Sequence, residues 1–311
     1  MKILFMGTPE FALPSLEALN RSGDDLLGVV TQPDRPKGRG GFLSPPPIKL
    51  AAIKMGCEVY QPEKVREKEF INGIRGLKPD LIVVVAFGQI LPKDIIDIPH
   101  CGCVNVHASM LPKYRGAAPV NWAIINGDDR TGVTTMMMDA GMDTGPILLQ
   151  QETEIHEEDT AGSLLRRLSR LGAEFLLETI SGIRENRIMP RPQGEAGVSY
   201  APILKKGDGL IDWGLEARRI ERLIKGLDPW PCCYTYYEGN RWRLFSSSVL
   251  GREDTGIPGR IEAASEDGII IQTGRGKVSV AEIQPEGKRR MKVSEYLTGH
   301  HIEKGTILGN C

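Results

Sequence analysis

The sequence predicts an α/β protein, a Rossmann-like, mostly parallel sheet domain followed by a smaller OB-like β-barrel domain. Three observations carry that prediction. Up to about residue 150, short apolar runs alternate with helix-length segments, and the run at 81–87 (LIVVVAF) is apolar throughout, as suits a strand covered on both faces. Between 189 and 206 the chain reads MPRPQGEAGVSYAPILKK, three prolines and two glycines without periodicity, the composition of a linker. Beyond it the apolar runs shorten and alternate with polar residues between turn signals.

Taken in order, ILFM, LLGVV, CEVY, LIVVVAF, CVNVH and VTTMMM are the expected strands of an open doubly wound sheet. A helix is expected over 160–183, where Leu164, Leu168, Leu171 and Phe175 recur at three- and four-residue spacing and form a core stripe. A second helix, over 215–227, sets Ile220, Leu223, Ile224 and Leu227 on one face and Arg218, Arg222 and Lys225 on the other. After Pro229 and Pro231, alternating runs at 234–237, 241–245, 259–264, 268–272 and 277–283 predict a small barrel. The organisation expected is therefore a first domain over 1–189, a linker over 190–206 and a second domain over 207–311.

At 311 residues the chain suits two domains. With 41% apolar and 25% charged residues and a net charge of -1, it lacks the composition of a disordered chain. The first apolar run is about five residues long, short of the roughly 7–15 of a signal peptide. The run at 81–91 is broken by Gly88 and Gln89 and falls short of the roughly 20 residues that span a bilayer. Cys57, Cys101, Cys103, Cys232, Cys233 and Cys311 form no paired CxxC ladder, so free thiols, no metal and a cytoplasmic location are expected. The GTPEF turn is not a GxGxxG fingerprint, which argues against a nicotinamide-dependent dehydrogenase.

Two segments carry candidate chemistry. In 104–107 (VNVH) strand alternation puts Val104 and Val106 on one face and Asn105 and His107 on the other. They lie near the end of an expected parallel strand, where open α/β sheets bind ligands. In 134–147 (TTMMMDAGMDTGPI) Asp139 and Asp143 follow another strand; either one suits an Asx turn, and either one brought beside His107 would hold its imidazole in one tautomer. Spacing does not choose between them. An amide, an imidazole and a carboxylate together suit group transfer at a carbonyl carbon.

Residues 105–127 (NVHASMLPKYRGAAPVNWAIING) and 131–147 (TGVTTMMMDAGMDTGPI) resemble the signature of the folate-dependent formyltransferase family. MGTPEF at 6–11, TQPDRPKGRG at 31–40, IDW at 211–213 and DPWP at 228–231 are similar to the branch of that family that acts on tRNA. The resemblance implies Asn105, His107 and Asp143 as the catalytic set, 10-formyltetrahydrofolate as donor, and the α-amino group of methionine-charged initiator tRNA as acceptor. It further implies a folate-binding turn at Ser109, Met110, Leu111 and Pro112. Ala108 and Met110 depart from the Gly and Leu more common there, apolar exchanges that bear on packing. For RNA, the family pattern carries over to Arg35, Lys37 and Arg39 in the loop 33–47. In the barrel, Lys206, Lys288 and Arg289 are candidate contacts, with the Arg218/Arg222/Lys225 stripe and Arg290 beside them. A formyltransferase acting on a small amine, such as glycinamide ribonucleotide or an amino sugar, and a noncatalytic RNA-binding module are the alternatives at this point.

Overall fold

The computed structural model of the chain describes residues 1–37, 41–251 and 255–309. In chain order the strands of the first part are β1 (Lys2–Gly7), β2 (Asp25–Val30), β3 (Arg35–Lys37), β4 (Phe42–Ser44), β5 (Val59–Tyr60), β6 (Leu81–Val85), β7 (Cys103–His107), β8 (Arg115–Gly116), β9 (Arg130–Met137), β10 (Ile147–Glu154) and β11 (Tyr200–Ala201). Its helices are α1 (Leu13–Arg21), α2 (Pro47–Lys54), α3 (Lys68–Leu77), α4 (Lys93–Ile96), α5 (Pro119–Asn126) and α6 (Ala161–Arg184). The rest comprises α7 (Ala217–Gly226), β12 (Tyr234–Tyr237), β13 (Asn240–Leu250), β14 (Ile261–Ser265), β15 (Gly268–Gln272), β16 (Lys277–Pro285), β17 (Met291–Lys292) and α8 (Val293–Leu297). Two compact units result: one of residues 1–119, 130–154 and 165–201, the other of 120–129, 155–164 and 202–311.

The first unit is built on a seven-stranded sheet in the order β10-β9-β7-β6-β1-β2-β5. β1 pairs in parallel with β2 and β6, and β6 with β7, as continuously apolar strands require. β9 runs antiparallel to β7 and β10 antiparallel to β9. β10, ILLQQETE with a polar end, is the strand of this sheet that apolar periodicity missed. Leu4, Met6, Val30, Ile82, Val84 and Ile74 of α3 form one buried cluster. Gly172 of α6 sits where a Cβ would lie 2.9 Å from Val106 Cγ1, and Thr135 and Thr179 hydroxyls meet at 2.8 Å. The Val106 and Thr135 side of the sheet is therefore covered by α6, which leaves the Asn105 and His107 side for other groups.

Two segments expected to lack structure have some. Within 33–47, β3 and β4 pair as an antiparallel hairpin; its base is tied by Asp34, which accepts Lys49 Nζ at 2.8 Å and Gln61 Nε2 at 2.8 Å. Those bonds, Gln61 first, hold the Asp34 carboxyl below its ordinary range. Within 190–206, Arg191 bridges Ile147 and β11 pairs in parallel with β8.

In the second unit the strands pair antiparallel in the order β12-β13-β16-β15-β14, with β17 on β16. The tail meets both edges, Ile307 bridging Arg260 beside β14 and Gly309 bridging Tyr236 of β12, so the barrel leaves no free edge there. Trp213 is buried and donates to Thr235 Oγ1 at 3.0 Å. Among the described residues no helix is long and apolar enough to cross a membrane.

Ile82, fully buried in the central strand β6, tests the packing account. Ile82→Ala is expected to cost about 2–5 kcal/mol, whereas Ile53→Ala, at an exposed position of α2, should stay within about 0.5 kcal/mol. Denaturant titration of both variants measures the difference.

Candidate active site

Strand alternation, extended across three strands, builds the site. β7 and β9 are registered so that Asn105 lies opposite Met136 and His107 opposite Thr134, and cross-strand partners point to the same face. That face, away from α6, presents an amide, an imidazole, a hydroxyl and a thioether together.

Asp143 reaches it from the loop after β9. Because β9 is antiparallel to β7, this loop leaves at the end of β7 opposite His107, and Met138 N donates to Cys103 O at 2.8 Å. The chain then folds back over the sheet. Two residues make that possible: Asp143 itself adopts a left-handed backbone, φ 53°, and at Gly145 a Cβ would lie 1.9 Å from Met137 O. Asp139 takes the local role, accepting Gly141 N at 3.0 Å and Thr144 Oγ1 at 2.7 Å, which is an Asx turn. Asp143 takes the other. Its Oδ2 accepts Gly116 N at 2.8 Å and lies 3.6 Å from His107 Nδ1, and its Oδ1 accepts Asn105 Nδ2 at 3.4 Å.

Gly116 is constrained to be glycine on two counts: its φ is 119°, and a Cβ would sit 2.8 Å from Ala201 O, across the β8–β11 pair. Its N–H is thereby aimed at a carboxylate, a charge-assisted bond of the stronger kind. The imidazole is oriented from its far side, where Nε2 lies 3.0 Å from Tyr114 O. A carbonyl only accepts, so Nε2 carries a proton. Nδ1 is then the ring atom that faces Asp143 and the open space beside it. Any hydrogen bond from His107 to a reacting oxygen must run through Nδ1, in the imidazolium form.

The turn 109–112 is fixed from beneath. Thr134 Oγ1 donates to Ser109 O at 2.7 Å and accepts Leu111 N at 3.1 Å and Gln150 Nε2 at 3.1 Å. Ser109 is fully buried, with its hydroxyl on Lys113 O at 2.6 Å, and Leu111 is buried against Met136 and Ile147. Ser109 and Leu111 thus shape the site, while Met110 and Pro112 remain partly exposed.

A cavity of about 180 Å³ adjoins Asp143, lined by Gln89, Ile90, Leu91, Met136, Met138 and residues 139–143. Sequence reasoning missed Gln89–Leu91. The signal was Ile90, an apolar residue that stays 85% exposed in a Gly-Gln turn after the most buried strand. Thr8 of the GTPEF turn ties this loop down, donating to Phe87 O at 2.7 Å, and Gln89 accepts Val65 N at 3.0 Å.

The expected RNA-contacting cations divide. In the first unit Arg35 is exposed and 3.6 Å from Glu63; Lys37 ends β3; Arg39 lies outside the described residues. In the second unit Lys206 and Lys288 are exposed, and Arg289 pairs with Glu295 at 2.8 Å. The α7 stripe, expected among the candidate RNA contacts, is partly engaged within the protein. Glu221 is buried among it, accepting Lys225 Nζ at 2.8 Å and lying 3.5 Å from Arg218, and Lys225 also donates to Glu157 O. Arg290 lies over the Phe245 ring at 4.0 Å and pairs with Glu282 and Asp228, a structural use of the charge.

Cys57, Cys101, Cys103, Cys232 and Cys233 are free. Burial pushes every one of these thiols up, Cys103 to about 12, so none is a ready thiolate. No cluster of His, Cys, Asp or Glu among the described residues is arranged to hold a metal ion.

Residues 1–180 match the formyl transferase family and residues 203–301 the formyl transferase C-terminal domain. The methionyl-tRNA formyltransferase of Acetivibrio thermocellus is 50% identical over 310 residues, 99% of this chain and 100% of that one. That of Alkaliphilus oremlandii is 51% identical over 309 residues, again 99% and 100%. Among solved structures, WlaRD, a sugar 3N-formyl transferase crystallised in the presence of dTDP and 5-N-formyl-THF, superposes with a TM-score of 0.69 at 20% identity, over 93% of this chain and 99% of that one. At that identity the likeness is one of fold.

The hydrogen-bond network around His107 makes a spectroscopic prediction. Long-range ¹H–¹⁵N correlation of the neutral ring should find the proton on Nε2 and the lone pair on Nδ1; the reverse tautomer would contradict the orientation by Tyr114 O.

Proposed function

Because this chain belongs to the formyl transferase family, we propose that it transfers a formyl group from 10-formyltetrahydrofolate to the α-amino group of methionine-charged initiator tRNA, for translation initiation. The observation that carries the chemistry is the convergence of Asn105, His107 Nδ1 and Asp143 on one face of β7. The observation that carries the acceptor is the identity of about half of all residues, end to end, to methionyl-tRNA formyltransferases. That identity favours tRNA over a small amine, and the intact trio speaks against a noncatalytic RNA-binding module.

The flat, uncharged pterin of the donor suits the apolar cavity beside Asp143, between Gln89–Leu91 and 138–142. Met136, packed on Leu111, connects that cavity to the turn Ser109, Met110, Leu111 and Pro112, the folate-binding turn of this proposal. With the formyl carbon before the trio, the acceptor nitrogen adds to it and the carbonyl π pair moves to oxygen. Asn105 Nδ2 and His107 Nδ1–H donate to that oxygen, where charge builds. The contacts these groups make to Asp143, 3.4 and 3.6 Å, are long enough to be exchanged for shorter ones to a substrate oxygen. An α-amino group with a reference pKa of about 7.7–8.0 is partly neutral at cellular pH, so only the proton released after addition needs a base. Asp143 takes it, the carbonyl re-forms, and the bond to folate N10 breaks as the same proton passes from Asp143 to that nitrogen. No formyl-enzyme forms, since Ser109 and the thiols are withdrawn from the site.

Residues 1–189 are the catalytic domain of this proposal and 207–311 its tRNA-binding domain. Arg35, Lys37 and Arg39 of the segment 33–47 meet the acceptor end in this proposal, with Lys206, Lys288 and Arg289 contributing from the barrel, as backbone contacts that position without reading sequence.

The test supplies 10-formyltetrahydrofolate with methionine-charged initiator tRNA, charged elongator tRNA or glycinamide ribonucleotide. Transfer to the initiator is expected; transfer to the small amine alone would overturn the assignment. Asn105→Ala is expected to lower kcat about 10²–10³-fold and Asp143→Asn to lower it strongly, both with tRNA affinity retained. Arg39→Ala should lower the rate at subsaturating tRNA and leave it unchanged at saturation, with a shallower salt dependence.

A further inference from the structure

Asp143 is held from behind as well as from in front. Gln193, in the segment of the first unit that follows α6, donates both hydrogens of its amide inward, Nε2 to Asp143 O at 2.8 Å and to Gly145 O at 2.8 Å. Its Oε1 accepts two hydrogens of one guanidinium, Arg115 Nε at 3.0 Å and Nη2 at 2.7 Å. All four bonds are short and mutually consistent: the fork of Arg115 fixes which end of the Gln193 amide is oxygen, and hence that nitrogen faces the loop. Arg115 is itself fixed, since its backbone N donates to Ser199 O at 2.9 Å in the β8–β11 region. The next residue, Gly116, is the one whose N–H meets the Asp143 carboxylate.

We infer that Gln193 and Arg115 are positioning residues for catalysis, a clamp that holds Asp143 in its left-handed backbone with its carboxylate turned to Asn105 and His107. The inference rests on the proposed formyl transfer for its kinetic readout. Its physical basis is independent: a non-glycine residue at φ 53° stays there only when its surroundings determine it. The carbonyl of Asp143 itself and that of Gly145, both bound by one amide, supply the determination. A shift of about 1 Å in a catalytic group costs up to about 10²-fold in rate, so the clamp acts on turnover while touching neither substrate.

Gln193→Glu separates positioning from folding. The carboxylate keeps and strengthens its contact with Arg115, so the segment stays attached, yet it has no hydrogen to give to Asp143 O or Gly145 O. Expected are a fall in kcat of about 10–10²-fold with KM for both substrates held, an unchanged melting temperature, and faster amide exchange over residues 139–146. Arg115→Lys, which loses the fork but keeps the charge, should show the same pattern more weakly. In an Asp143→Asn background, Gln193→Glu should add less than about threefold, because both act through one group. Wild-type kcat in Gln193→Glu, a rise in KM alone, full additivity with Asp143→Asn, or unaltered exchange over 139–146 would each overturn the clamp. If the wild-type protein formylates only a small amine, the assignment of tRNA fails, while exchange over 139–146 and kcat on that amine still decide the clamp.

Discussion

A carboxylate on the face of a β-sheet is the constraint around which this molecule is arranged. Strand β7 presents Asn105 and His107 outward from α6, and Asp143 is drawn in beside them. In the proposed transfer it is the base, and its charge against the sheet needs a donor. Gly116 N–H meets it at 2.8 Å, and a hydrogen bond to a charged group is worth about 1.5–3 kcal/mol, comparable to the cost of a left-handed backbone. Every neighbouring feature follows from keeping that donor and that carboxylate together. β8 and β11 pair to aim Gly116, Gly145 allows the loop to lie against Met137, and Tyr114 O turns the imidazole so that Nδ1 faces the acid.

Much of this was legible in the sequence, and what was not has physical reasons. Period-two alternation in VNVH assigned Asn105 and His107 to one face correctly, because β7 is buried on the other side by α6 and its register has no freedom. The choice between Asp139 and Asp143 was not readable from spacing. Both sit in a turn rich in glycine, and what separates them is the direction of β9, which alternating hydrophobicity does not encode. An apolar strand reads alike in either direction, so the sequence does not show that the loop leaves at the far end of β7 and crosses the face of the sheet to reach His107. The family resemblance named Asp143, the aspartate found beside His107, without revealing that path. Strand β10 escaped because only its first residues are apolar, and the hairpin β3–β4 because its strands are three residues long, below what periodicity resolves.

Charge was the least legible property. On α7 the spacing of Arg218, Arg222 and Lys225 reads as a solvated stripe, yet Glu221, one helical turn from Arg218 and Lys225, is buried and draws both toward it. Removing Lys225 would strand a buried carboxylate, a penalty larger than an exposed ion pair is worth. Arg290 is similarly committed, stacked on Phe245 between two carboxylates. Cations that look equivalent in the sequence thus separate into those that hold the barrel together and those, such as Lys206 and Lys288, that stand exposed. Only the latter can release counterions to a polyanion at little structural cost.

The same economy explains why the site has no nucleophile of its own. Covalent catalysis would require an activated hydroxyl or thiol beside His107. The nearest hydroxyl, Ser109, is spent on Lys113 O, and Cys103, four residues before His107 and on the same face of the strand, has its thiol buried against Ile96 O. In the proposed transfer donor and acceptor must therefore be present at once. A fully enclosed pocket would forbid that. The arrangement found keeps His107 buried and oriented while Asn105 and Asp143 stay partly open, as groups proposed to meet the substrates need to be. The groups that hold them, Tyr114 O, Gly116 N and the turn fastened by Thr134, carry the rigidity. Direct transfer needs the barrier lowered by preorganised donors rather than divided by an intermediate, and in this fold those donors are set by the register of β7 against β9.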